Sequence, residues 1–153
     1  MRAQDRYADA YGAAADGYAR VLDPTLEPIV RRLVELAEVR SGSRVLDLAT
    51  GTGAAARIAA AAGAEVTGVD ISPRMIEIAR QRSPAGLRFE AADAAELPFN
   101  AGAFSAVICG LGLSHFPDVP AALGEIRRVL GSGGVFVECS WASGGSSPAF
   151  SAA

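Results

Sequence analysis

Short, nearly continuous apolar runs alternate along this chain with longer stretches in which apolar residues recur every three or four positions. The runs at about residues 44–49, 65–69, 87–91, 104–109 and 135–139 read as strands, and their continuity predicts strands covered on both faces. Between them the period lengthens to that of a helix. Residues 53–62 form one, closed by Gly63; Ser72-Pro73 opens another, with Met75, Ile78 and Ala79 inward. Asp118 caps a third, with Leu123, Ile126 and Leu130 inward. Ahead of the first strand, an Ala-rich helix carries Tyr7, Tyr11 and Tyr18 on one face, as a packing stripe or as a lid of aromatic rings. Gly12 and Gly17 weaken it. Asp23-Pro24 predicts the start of a second helix, Asp as N-cap, with Leu26, Ile29, Val30, Leu33, Leu36 and Ala37 as its apolar face.

Strands alternating with helices predict an α/β fold, a parallel sheet with right-handed crossovers. The expected organisation is one domain over residues 1–141, with the N-terminal helices in residues 1–40, and a flexible Ser/Gly/Ala tail over residues 142–153. A chain of 153 residues suffices for one core, and the net charge of −3 offers no general attraction for nucleic acid or anionic membrane. All basic residues are Arg and are scattered, without the basic stripe interleaved with aromatics that a nucleic-acid substrate requires. Cys109 and Cys139 lie far apart in apolar runs, and with a single His the sequence offers no metal-ligand spacing. Nothing at the N-terminus reads as a signal peptide and no run approaches a membrane span, so a cytoplasmic location is expected.

The chemistry concentrates at Val45-Leu46-Asp47-Leu48-Ala49-Thr50-Gly51-Thr52-Gly53, answered by Val66-Thr67-Gly68-Val69-Asp70. A strand, a glycine turn, a helix and a second strand ending in a carboxylate are the parts of a nucleotide-binding βαβ unit. Gly51 and Gly53 let a ligand approach the backbone, and Asp70 stands ready to accept from a ribose. This predicts a nucleoside-cofactor site. The Gly51-Thr52-Gly53-Ala54-Ala55-Ala56 run also satisfies the looser dinucleotide fingerprint, so an NAD-dependent oxidoreductase is the alternative. The loop from Asp93 to Phe99 and the lack of a catalytic Lys, Tyr and His arrangement argue against it.

Four segments in order resemble the class I S-adenosylmethionine-dependent methyltransferases, in their small-molecule branch. They are the glycine-rich stretch from Val45 to Gly53, Asp70 at the end of the second strand, Asp93-Ala94 followed by Leu97-Pro98-Phe99, and Ile126-Arg127-Arg128-Val129-Leu130 before Gly133-Gly134. The resemblance implies a Rossmann-like sheet of strand order 3-2-1-4-5, with the family's last two strands missing. It implies S-adenosyl-L-methionine as cofactor and in-line methyl transfer to a small-molecule acceptor. A truncated or non-catalytic cofactor-binding module is a further alternative. Gly51 and Gly53, with Ala49 and Thr50, would face the methionine part, and Asp47 would act through water. Asp70 would take the ribose hydroxyls, Ile71 and Met75 would press on the adenine, and Asp93 and the Ala94 amide would bond its edge. Gly110 and Leu111 would lie near the amino-acid end, and His115 near the methyl, as the one candidate base. The fifth strand, left at an edge, would invite self-association.

Overall fold

The computed structural model describes residues 3–141; the expected tail at residues 142–153 and the Tyr7 side chain lie outside the described residues. A five-stranded sheet has the order β3-β2-β1-β4-β5, every pairing parallel, as the resemblance implies. The strands are β1 (Arg44–Leu48), β2 (Glu65–Asp70), β3 (Arg88–Ala91), β4 (Phe104–Gly110) and β5 (Leu130–Cys139). The helices are α1 (Ala3–Gly17), α2 (Asp23–Leu36), α3 (Ala54–Ala61), α4 (Pro73–Arg82) and α5 (Val119–Val129).

Successive residues of β1 serve opposite layers. Val45 packs into a core with Leu33 of α2, Ala56 of α3 and Ile76 of α4. Leu46 and Leu48 pack on the other face against Ala122, Ile126 and Val129 of α5. This two-sided burial is why the strands read as continuous apolar runs. At the foot of the sheet Ser105 accepts from the Arg44 amide at 3.0 Å and donates to the Arg44 carbonyl at 3.1 Å, pinning β4 to β1.

Several expected faces shift. Leu123 is 41 % exposed, because the buried stripe of α5 runs through Ala122, Ile126 and Val129 and leaves Leu123 on its flank. Leu130 opens β5 instead of closing α5, and the glycines at 131–134 lie inside that strand, where the register against β4 shifts. On α2, Ile29 and Leu36 are exposed and Val34 is buried in their stead.

The largest difference is at Asp23. Its side chain caps nothing: the residue before it is already helical, and α1 runs into α2 through a single π-helical turn, Tyr18–Leu22, closed by the Asp23 amide donating to the Tyr18 carbonyl. The cause is local. Pro24 has no amide for the Arg20 carbonyl, the Thr25 hydroxyl takes the Val21 carbonyl at 2.9 Å, and Arg82 takes the Ala19 carbonyl at 3.1 Å. Gly12 does not interrupt α1, and a Cβ there would stand in ordinary contact with Ser72 and Arg74 at the α4 start. Ala15 then buries with Met75 and Ile78, alongside Tyr11 and Tyr18.

Gly68 in β2 sets how closely the layers approach. A Cβ there would stand 2.6 Å from the Phe89 ring and 2.7 Å from the Thr50 hydroxyl. Gly68→Ala is therefore expected to cost about 1–3 kcal/mol in urea unfolding. Gly17→Ala, where a Cβ meets nothing within 4 Å, should be neutral or stabilising by up to about 1 kcal/mol.

Candidate functional site

The carboxyl ends of parallel strands are where an open α/β sheet leaves a crevice, and here the chain bends sharply after β1 and after β4. After β1 the backbone turns left-handed at Ala49 (φ 55°), Gly51 (φ 54°) and Gly53 (φ 83°), and after β4 it does so at Leu111 (φ 62°). Such geometry in Ala and Leu is strained, and it clusters at the mouth of one cleft. The cleft has a volume of about 450 Å³.

Most of the expected residues meet there. Ala49, Gly51 and Asp70 line it on the β1–β2 side, with Ile71 and Met75 next to them. Asp93 and Ala94 line it from the loop after β3, and Gly110, Leu111 and His115 from the segment after β4. At Gly51 a Cβ would project into open space, so the absence of a side chain leaves a cradle of bare backbone. Three expected residues stand behind this lining. Asp47 and Thr50 are buried beneath the turn, and Gly53 packs inward, where a Cβ would press on Phe89, Ala79 and Arg57. Gly53 thus answers a packing and backbone demand away from the cleft.

Asp47 replaces the side chain that Gly53, as N-cap of α3, lacks. Its Oδ2 accepts from the Ala56 amide at 2.9 Å and the Thr50 hydroxyl at 2.6 Å. Burial pushes its carboxyl up to about 6, opposed by those two hydrogen bonds and by Arg57. Asp70 accepts from the Gly51 amide through one oxygen and the Ser72 amide through the other, each at 2.9 Å. Its carboxyl is also raised by burial, against the pull of those amides. A carboxylate has about four acceptor positions, so Asp70, which lines the cleft, keeps acceptor capacity beyond these amides.

The Asp93 loop is held from α5. Arg128 donates to the Phe99 carbonyl at 2.6 Å and the Leu97 carbonyl at 2.9 Å, while its ion-pair partner Glu125 accepts from the Leu97 amide at 2.8 Å. Asp93 itself accepts from the Ala95 amide at 2.9 Å. His115 sits in a 3₁₀ turn, Leu113–His115, and meets the Tyr11 ring edge-on at 5.5 Å.

The sequence reading left out most of the apolar wall. Leu22 and Leu26 reach it from the N-terminal helices and Trp141 from beyond β5. Tyr11 and Tyr18 pack on Met75 and Ile78, as the packing-stripe reading expects, and they also line the cleft. Burial pushes the Tyr18 hydroxyl up to about 12, so it stays a protonated donor. Cys109 is buried and likewise pushed up to about 12 by desolvation, which makes it an inert core thiol.

Comparison with known proteins gives this geometry a family. A family model described as "Methyltransferase domain" matches residues 46–137, which run from β1 through β5. The chain belongs to the class I S-adenosylmethionine-dependent methyltransferase family. It is 50 % identical over 112 residues to the demethylmenaquinone methyltransferase of Thermus thermophilus, covering 70 % of this chain and 51 % of that protein. It resembles a Haloferax volcanii methyltransferase solved with the Trm112 methyltransferase activator, at TM-score 0.72 and 29 % identity over 82 % of this chain and 57 % of that one. It also resembles the [4+2]-cyclase SpnF, at TM-score 0.70 and 29 % identity over 78 % of this chain and 48 % of that one. The chain spans about half the length of the curated relatives it matches.

The buried Asp47 of this methyltransferase domain makes its stability pH-dependent. A folded pKa of about 6 lies above the ordinary 3.8, so the folded chain binds that proton more tightly than the unfolded one. The stability linked to it is complete below the unfolded value and is lost as pH rises through the folded one. Asp47→Asn keeps an oxygen for Thr50 and Ala56 without the charge. It should match the wild type near pH 4 and exceed it by about 2–3 kcal/mol at pH 7.5 in urea unfolding. A gap of equal size at both pH values would refute this assignment.

Proposed function

We propose that this chain binds S-adenosyl-L-methionine in the cleft and transfers its methyl to a small, flat, largely apolar acceptor. The observation that carries this reading is the convergence of the bare Gly51 backbone, the Asp70 carboxylate and the Asp93 loop on one cleft. That set suits a nucleoside with polar groups at both ends. Asp70 receives the ribose hydroxyls, Asp93 and the Ala94 amide receive the adenine edge, and Met75 and Ile71 cover its face. Ala49, Gly51, Gly110 and Leu111 give room and backbone polarity for the amino-acid end. Asp47, Thr50 and Gly53 act one layer back, holding the turn in shape.

When bound, the cofactor supplies a methyl group on a positively charged sulfur that needs no activation by the protein. The chain's own work is to align the acceptor, keep water out and take a proton. Leu22, Leu26, Phe116 and Trp141 provide an apolar surface for an acceptor ring, which fits the demethylmenaquinone methyltransferase likeness. His115, on the same wall, is the base for an acceptor hydroxyl. The free thiols suit the cytoplasmic setting that is part of this reading. The outer edge of β5, at the end of the sheet, is read as a pairing surface for a second copy. The likeness to a cyclase favours one second reading: an adenosyl-cofactor site of this fold serving a different reaction.

Isothermal calorimetry with S-adenosylhomocysteine is expected to show one site per chain, with Asp70→Ala weakening it at least tenfold and NADH giving no heat. Tight NADH binding without a response to S-adenosylhomocysteine would defeat the proposal. With a naphthoquinol acceptor, His115→Ala should lower kcat about 10²-fold at neutral pH while leaving S-adenosylhomocysteine affinity within twofold. Equal losses in kcat and in affinity would instead make His115 a wall of the cofactor pocket.

A further inference from the structure

Asp23, outside the set of residues that line the cleft, is only 8 % exposed and sits among groups drawn from three elements. Its Oδ2 accepts from the Thr52 hydroxyl at 2.5 Å and from Arg82 Nη1 at 2.5 Å, with Arg57 Nη2 at 3.7 Å. Thr52 is the residue between the two glycines of the turn, and Arg57 also donates to its carbonyl at 2.6 Å. The same Arg82 nitrogen donates to the Ala19 carbonyl at 3.1 Å, inside the π-helical turn. That turn carries Tyr18 and Leu22 into the cleft wall.

We propose that Asp23 and Arg82 are positioning residues: a clamp through Thr52 and the Ala19 carbonyl that ties the wall built by the N-terminal helices to the glycine turn on the cleft floor. The clamp rests on reading the cleft as an adenosyl-cofactor site only for its consequence, that ordering the floor orders the wall.

The physical reason is that a π turn has a close competitor. An ordinary helical register would give the Ala19 carbonyl to the Asp23 amide; here Arg82 holds that carbonyl and the Asp23 amide goes to Tyr18. A slip of one residue turns everything N-terminal of it by about 100° relative to α2, which carries Tyr18 and Tyr11 off the cleft. Arg82 keeps the π register only while Asp23 keeps Arg82, and Asp23 is itself fixed to the turn by Thr52. Removing Arg82 takes from the buried Asp23 carboxylate its nearest cation, and removing the Thr52 hydroxyl takes from it the tie to the turn.

The test uses the whole chain, with hydrogen–deuterium exchange and S-adenosylhomocysteine calorimetry on wild type, Arg82→Ala, Arg82→Lys and Thr52→Val. Thr52→Val keeps the turn's shape and deletes only the hydroxyl, so it decides the matter if Arg82→Ala does not fold. Without any added compound, amides of residues 8–22 should exchange at least tenfold faster in Arg82→Ala and severalfold faster in Thr52→Val, with β1 and β4 unchanged. S-adenosylhomocysteine should slow exchange over residues 8–22 in the wild type but not in Arg82→Ala, whose affinity falls about tenfold and is partly rescued in Arg82→Lys. Unchanged exchange over residues 8–22 in Thr52→Val and in any folded Arg82→Ala overturns the clamp. So does an affinity loss without faster exchange, which would place the effect in the glycine turn alone. If the wild type binds no S-adenosylhomocysteine, the cofactor reading fails and the exchange measured without it still decides the clamp.

Discussion

Three carboxylates from three elements hold three consecutive residues of the turn after β1. Asp47 takes the Thr50 hydroxyl, Asp70 takes the Gly51 amide and Asp23 takes the Thr52 hydroxyl. The turn needs this because the hydroxyls of Thr50 and Thr52 are buried and the Gly51 amide lies at a left-handed bend, and buried polar groups left unpaired are costly. Gathering carboxylates in one place has its own cost, visible in Asp47 and Asp70, both raised by burial. The cost is offset by amides at the start of α3 and α4 and by the flanking arginines Arg57 and Arg82. The turn is therefore held at three consecutive residues, and the Gly51 backbone is left bare toward the cleft.

That arrangement requires the layers behind it to be thin. Gly68 has no side chain where Thr50 and Phe89 come together, and Gly112 has none where a Cβ would collide with that of Ala49. Gly68 thus serves the turn after β1 from behind the cleft, while Gly112 serves it from the cleft lining. On the opposite bank, Arg128 and Glu125 convert the polar stretch after β3 into a fixed loop by taking its carbonyls and an amide. The cleft is a product of these supports more than of its own lining.

What was legible in the sequence follows from range. Gly51 and Asp70 stand within a contiguous strand–turn–helix–strand pattern, so spacing brings both to the cleft, whereas Asp47, expected at the cofactor, lies behind it because Thr50 and the start of α3 take its carboxylate. Gly51 and Gly53 look alike in sequence, yet one faces open space and the other Phe89 and Ala79, a difference set by β3 and α4. Asp23 followed by Pro24 has the local signature of a helix start, but Thr52 and Arg82, 29 and 59 positions away, capture the carboxylate instead. Leu123 was misplaced because helical periodicity gives a stripe's width poorly at its flank, and only the sheet edge decides which side is covered. Trp141 and Leu22 reach the cleft from positions that carry no motif at all.

The cleft has two sides with different origins, and this bears on how far the family reaches. Its floor is polar backbone and carboxylate at the ends of β1 and β2, inside the stretch the family model matches. Its wall is apolar and comes partly from the segment after β4, inside that stretch, and partly from the N-terminal helices and Trp141, outside it. The likenesses span different names, a demethylmenaquinone methyltransferase by sequence and a [4+2]-cyclase by fold. A floor of this kind fixes which small polar group is held, whereas the wall fixes what is brought against it. Tyr18 and Leu22 enter that wall through a π turn whose Ala19 carbonyl is held by Arg82, so the shape of the wall is tied to a contact more than fifty residues away in sequence.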